Sequence, residues 1–109
     1  MLKDHPTLRD CQEFHRWLDL EKGFSSDLPL NMMLLMEEVG EVAKEVRRFD
    51  HAQNDLGLED KLVTARDHLE EELADCLAYI VKLANYTDID LEQAYLKKMH
   101  YNVHRVWND

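Results

Sequence analysis

The chain has 109 residues, 45% hydrophobic and 33% charged, and its 13 basic and 23 acidic residues give a formal net charge of −10. That length suits a single domain spanning 1–109 with one modest core, and the balance excludes wholesale disorder. The acidity argues against nucleic acid as a partner, because phosphate backbones are gripped by basic patches.

Three glycines and two prolines are few, which favours long helices over a strand-rich fold with many tight turns. The first helix is expected from Leu8 to Lys22, with Thr7 as N-cap, Asp10 completing a capping box and Gly23 ending it. Leu8, Cys11, Phe14 and Leu18 recur on it at helical spacing. The connector GFSSDLP reads as a turn. The second helix is expected from Pro29 or Leu30 to about Phe49, capped by Ser26 or Asp27. Leu35, Val39, Val42, Ala43, Val46 and Phe49 then fall in one apolar arc, with Lys44, Arg47 and Arg48 on the outer face. FDHAQNDLGLED reads as a loop. A third helix follows from Leu58 or Glu59 to Tyr86, with Leu62, Leu69, Leu73, Leu77, Ile80 and Leu83 as its apolar arc. Ala74, Ala78 and Val81 form a small-residue face that can take another helix at close approach. Asp90 and Gln93 make a capping box for a fourth helix from Leu91 to Trp107, with Met99, Val103 and Val106 inward. The expected architecture is all-α, a four-helix antiparallel arrangement with short connections except between the second and third helices.

Cys11 and Cys76 lie in helical patterns and read as buried thiols in a reducing compartment. MLKDHPTLRD carries no apolar run of the signal-peptide kind, and no window reaches the length of a membrane span. A cytoplasmic protein with no membrane partner is expected.

The chemistry concentrates in two acidic stripes. Glu38, Glu41 and Glu45 are three and four residues apart, so on a helix they are neighbours. Like charges at such a distance cost roughly 3 kcal/mol per pair at an effective dielectric near 20, and a cation would relieve the strain. Glu72 and Asp75 repeat the spacing on the next helix. Both sets sit on the shoulder of an apolar arc, where acids are half-buried. One such pair reads most simply as solvated surface. Two pairs on two helices favour a site for a hard, oxygen-loving cation, Mg²⁺ or Mn²⁺. Ferritin-like di-iron sites need Glu-x-x-His pairs, and the residues three before the six histidines are all non-acidic. No histidine falls in a ligand pattern.

LMEEVGEV, EEELADCLAY and KKMHYNVHR together resemble the MazG-like all-α nucleotide pyrophosphohydrolases, whose signature is EExxE on one helix and ExxD on the next. Here the halves are Glu37-Glu38-x-x-Glu41 and Glu72-x-x-Asp75, separated by 30 residues between Glu41 and Glu72. Within the family, the pattern of Lys98, Met99, Asn102 and Arg105 is most similar to the single-domain dCTP-pyrophosphatase-like members. The resemblance implies that Glu38, Glu41, Glu72 and Asp75 are Mg²⁺ ligands and catalytic residues, with Mn²⁺ as a possible substitute. It implies that Lys98, Asn102 and Arg105 hold a triphosphate. The implied reaction is hydrolysis of a (deoxy)nucleoside triphosphate between the α and β phosphorus atoms, in the service of nucleotide-pool house-cleaning. The implied assembly is a homodimer or homotetramer. Glu37, Glu45 and Glu71 are candidates for the general base or a supporting role, though Glu37 and Glu71 read equally well as surface acids. Tyr79, one turn beyond Asp75, can touch base or sugar or pack as a core tyrosine; Trp17 and Phe24 can close over the site or simply pack. dUTPase-like or phosphoribosyl-ATP pyrophosphohydrolase activity is the alternative within the superfamily. A non-enzymatic acidic helical module is the alternative outside it.

Overall fold

Every element predicted from the pattern is present. The structure is a computed structural model that describes residues 2–55, 57 and 59–107. It contains four helices in chain order, α1 (Leu8–Lys22), α2 (Leu28–Gln53), α3 (Glu59–Tyr86) and α4 (Leu91–His104), and no strand among the described residues. The expected start at Leu58 lies outside the described residues.

The ends follow from local chemistry. At α1, the Thr7 hydroxyl accepts from the Asp10 N–H and the Asp10 carboxylate accepts from the Thr7 N–H, so two of the orphan donors are satisfied. Gly23 closes the helix in the left-handed region at φ 66°, which a side chain would resist. Asp27 caps α2 by accepting from the Leu30 N–H at 2.9 Å. Asp90 caps α4 by accepting from the Gln93 N–H at 3.1 Å.

Three predicted boundaries are corrected, the smallest being the start of the second helix, which lies at Leu28 and not at Pro29 or Leu30. The second helix continues past Phe49 to Gln53, because Ala52 is buried and Asn54 caps the end, donating its backbone and side-chain N–H groups to the Asp50 carbonyl. Helix α4 stops at His104 instead of reaching Trp107. Arg105 turns to extended backbone, φ −81° and ψ 155°, and the Trp107 indole N–H folds back onto the Asn102 carbonyl at 3.1 Å. An aromatic ring therefore takes one of the last carbonyls that further helix would have used.

Asp27–Ile80 forms one compact unit, and the segments on either side of it form a second. In the first unit, Glu38 lies beside Glu72 and Asp75, while Glu45 lies beside His68. The pairings advance on α2 as they retreat on α3, so the two helices run antiparallel. Ala52 and Ala65 are its buried apolar side chains.

In the second unit α1 packs on α4. Gln12, only 2% exposed, is the clasp. Its amide donates to Asn85 Oδ1 at 3.0 Å and to the Ile89 carbonyl at 2.8 Å, and its Oε1 accepts from the Leu91 N–H at 2.9 Å. Asn85 Nδ2 returns a bond to the Gln12 carbonyl at 2.9 Å. A buried amide so fully satisfied stabilises, by about 1 kcal/mol per bond. Asp19 accepts from the Tyr86 hydroxyl and lies 3.6 Å from Lys82 Nζ.

The apolar arcs are not all covered. Leu35, Val42, Phe49, Leu62, Leu69 and Leu83 are half-buried. Val39, Val46, Leu73, Leu77 and Ile80 are 43–52% exposed, and Val103 and Val106, expected to point inward, are 77% and 83% exposed. The inward assignment of Met99, 38% exposed, fails with them. Four helices of this length carry more apolar stripe than the described residues cover.

Candidate metal centre

The α2–α3 hairpin brings Glu38, Glu72 and Asp75 together, each offering a carboxylate oxygen within 4.8 Å of the others. Helix geometry makes this possible: Glu72 and Asp75 are three apart and share a face, and Glu38 meets them from the antiparallel neighbour. Glu38 and Glu72 are half-buried, Asp75 exposed.

The crowding has an electrostatic signature. A hydrogen bond shared with Glu72 pushes the Glu38 carboxyl up to about 7 from its ordinary 4.5, helped by burial and by repulsion from Glu72, Asp75 and Glu41. Glu38 is raised because a second negative charge so close to Glu72 and Asp75 is unfavourable. Glu72 Oε2 is buried with no hydrogen-bond partner. A proton where a cation would fit, an orphaned buried oxygen and an all-carboxylate donor set are what a hard divalent ion satisfies. Cys76 stands at the margin. Burial first, then Glu38, Glu72 and Asp75, raise its thiol, so it stays protonated and out of the donor set.

The other predicted residues lie as follows. Glu41, one turn beyond Glu38, is outside the group of three; it is 47% exposed and paired with Lys44 Nζ at 3.3 Å. Glu37 and Glu71 are exposed. Tyr79 lies close enough to the acids to feel them: burial first, then Glu38, Asp75 and Glu37, raise its phenol, keeping it a hydrogen-bond donor. Glu45 is not beside the acids at all. Its side chain is 5% exposed, it accepts from Arg48 Nη1 at 3.1 Å, and its Oε2 lies 3.8 Å from His68 Nδ1. Arg48 and His68 are partners of Glu45 that sequence reasoning missed, one placed on the outer face and the other taken as structural. Only Arg48 had a signal in the sequence, its spacing three residues after Glu45.

On α4 the expected Lys98, Asn102 and Arg105 stripe loses its last member from the helix. Lys98 Nζ sits 5.1 Å over the Tyr101 ring and the Arg105 guanidinium stacks 3.4 Å from the Trp107 ring centre. Asn102 Oδ1 and Arg105 Nε are buried without hydrogen-bond partners. Trp17 packs against Phe14 with ring centres 5.9 Å apart, and Phe24 lies 4.8 Å beneath Lys82 Nζ. Both aromatic residues stay 44–49% exposed. No helix of the described residues is long and apolar enough to cross a membrane.

Comparison with known proteins identifies the family. Residues 28–107 match the MazG nucleotide pyrophosphohydrolase domain. The chain is 38% identical over 97 residues to the uncharacterized protein YpjD of Bacillus subtilis, covering 86% of this chain and 81% of that one. It is 34% identical over 102 residues to dCTP pyrophosphatase 1 of Mus musculus, and 35% identical over 103 residues to that of Homo sapiens. Those two alignments take in 92% of this chain and 59% of the relative, so the chain spans about three fifths of the dCTP pyrophosphatases it matches. The chain therefore belongs to the MazG nucleotide pyrophosphohydrolase family and is an enzyme of that class.

Proposed function

We propose that this chain, as a single domain spanning 1–109, hydrolyses deoxynucleoside triphosphates between the α and β phosphorus atoms in the cytoplasm, and that it does so with Mg²⁺. The observation that carries the reading is the convergence of Glu38, Glu72 and Asp75, whose carboxylate oxygens lie within 4.8 Å of one another. Those three would hold the ion, with Glu41 turning from Lys44 to join them. When bound there, Mg²⁺, or Mn²⁺ in its place, supplies neutralisation of phosphate oxygens and a more acidic water. The water oxygen forms a bond to the α-phosphorus while the bond from that phosphorus to the bridging oxygen breaks. Pyrophosphate leaves with the electron pair, and the water's proton passes to a nearby carboxylate. Glu37 and Glu71, sequence neighbours of the proposed ligands, are the candidates for accepting it; Glu45, two turns from Glu38, is not. Tyr79 donates its phenolic hydrogen to the substrate. Lys98, Asn102 and Arg105 take the triphosphate, Arg105 with a bidentate fork. The exposed apolar stripes support self-association into a homodimer or homotetramer.

The names of the Mus musculus and Homo sapiens relatives make dCTP the first substrate to try. The test is incubation with each common (d)NTP and Mg²⁺, with assay of monophosphate, pyrophosphate and orthophosphate. Monophosphate with pyrophosphate is expected. Orthophosphate with diphosphate would refute α–β cleavage, and no turnover of any nucleotide would refute the enzyme reading of this site.

A further inference from the structure

A cavity on the hairpin belongs to Glu45 and is lined by none of the three clustered carboxylates. It has a volume of about 440 Å³ and is lined by Glu45, Arg48 and Ala52 from α2 and by Lys61, Ala65 and His68 from α3, among others. That is the size of a small-ligand pocket. Ala52 and Ala65, each 6% exposed, face it with side chains too small to fill it. Glu45 is 4% exposed. Arg48 occupies its Oε1, while Oε2 is buried with no hydrogen-bond partner, His68 Nδ1 being 3.8 Å away. A buried carboxylate oxygen left without a donor is costly unless a ligand or neighbour supplies one.

The chemistry of the missing donor can be narrowed. Two acids, Glu45 and Asp60, and two strong bases, Arg48 and Lys61, line the cavity, so its formal charge balances. Arg48 and Lys61 disfavour a cation, and the alanines favour a flat apolar body. A neutral N–H donor on a ring fits both constraints. A carboxylate oxygen accepts well from an exocyclic amino group. It fits poorly against an imide N–H, whose flanking carbonyl oxygens it repels.

We infer that the Glu45 cavity binds an amino-bearing nucleobase, cytosine or adenine, with the amino group donating to Glu45 Oε2. Two sources share that chemistry. One is the base of the nucleotide whose phosphates lie at the carboxylates, since Glu45 follows Glu38 by seven residues, two turns or about 10 Å along the same side of α2. The other is a separate nucleoside bound on its own. Only the first source rests on the pyrophosphohydrolase reading; binding itself does not.

The test is a chemical-shift titration of the metal-free chain with deoxycytidine, deoxyadenosine, thymidine and deoxyuridine. Saturable shifts at Ala52, Ala65 and His68 are expected, at least tenfold tighter for the amino-bearing pair. Glu45→Gln should erase that preference, and Ala65→Leu, which fills the slot, should abolish binding of all four. Helicity of each variant is checked by circular dichroism. A non-hydrolysable α,β-methylene dCTP with Mg²⁺ then separates the sources. If it displaces deoxycytidine from the cavity, the base is the substrate's. If both bind together, the cavity is an independent nucleoside site. The inference is overturned by absent saturation, by equal affinity for amino and imide nucleosides, or by shifts confined to other residues. It is also overturned if Glu45→Gln leaves the preference intact and changes only the mass of the particle in solution. Failure of hydrolysis with the nucleoside preference intact would sink the proposed activity and leave this inference standing; the reverse result would do the opposite.

Discussion

Glu38 and Glu45 are the same residue on the same side of the same helix, two turns apart, and they meet opposite fates. Glu38 faces two more acids and keeps a proton near neutral pH. Glu45 is more deeply buried, yet it has the Arg48 guanidinium at 3.1 Å and an imidazole nearby. Burial therefore does not decide which carboxylate is poised for a cation. The neighbours supplied by the facing helix do: Glu72 and Asp75 opposite one, His68 opposite the other.

The strongest way to break the contrast is to neutralise each acid in turn. Glu38→Gln or Glu72→Gln should cut turnover by more than about a hundredfold, the scale of losing a metal ligand, with helicity unchanged on circular dichroism. If Glu38→Gln keeps full activity, the ligand set is wrong. Glu41→Gln should act mainly through affinity for the ion, raising the Mg²⁺ concentration needed for half-maximal rate by at least about tenfold. A variant needing no more Mg²⁺ would leave Glu41 as a surface acid paired with Lys44.

Stability should divide the two acids in the other direction. Without metal, Glu38→Gln relieves repulsion and should raise stability at pH 8 by on the order of 1–2 kcal/mol, read by urea unfolding. Glu45→Gln should give no such gain, because Glu45 already has a cationic partner.

The pH dependence sharpens the same point. Folding raises the Glu38 carboxyl from 4.5 to about 7, so the folded chain binds that proton more tightly than the unfolded one. Its contribution is present in full below about pH 4.5 and is lost as pH rises through about 7. The metal-free protein should lose stability across that window, and the melting-temperature gain from added Mg²⁺ should grow across it, because the ion and the proton compete. A Mg²⁺ effect independent of pH would contradict that competition. The smallest effect is expected at Lys44→Ala, under about 0.5 kcal/mol, since the Lys44–Glu41 pair is exposed.

Much of this was legible in the sequence. The caps at Thr7, Asp27 and Asp90 and the stop at Gly23 are local, so short-range pattern reading finds them. Glu38, Glu72 and Asp75 were legible because helical spacing and the apolar arcs together fix which side each acid lies on. What the pattern missed depends on the facing helix or on the chain's own return. Nothing near Glu45 announces His68, 23 positions later. Nothing in KKMHYNVHR announces that Trp107 will fold back onto Asn102 and pull Arg105 off the helix. The exposure of Val103 and Val106 was missed because an apolar stripe in the sequence does not say whether the same chain covers it.

The Gln12 clasp has a consequence for the order of assembly. Its partners, Asn85, Ile89 and Leu91, lie 73–79 positions away. During synthesis α1 emerges first but must wait, unsealed, until nearly the whole chain has followed, whereas α2 and α3 can pair as soon as the hairpin is complete. Contacts so distant along the chain are slow to close. The two ends of the molecule thus mature together and last. A truncation just after Tyr86 would remove Ile89 and Leu91, taking from Gln12, near the other end, the carbonyl it donates to and the N–H it accepts from.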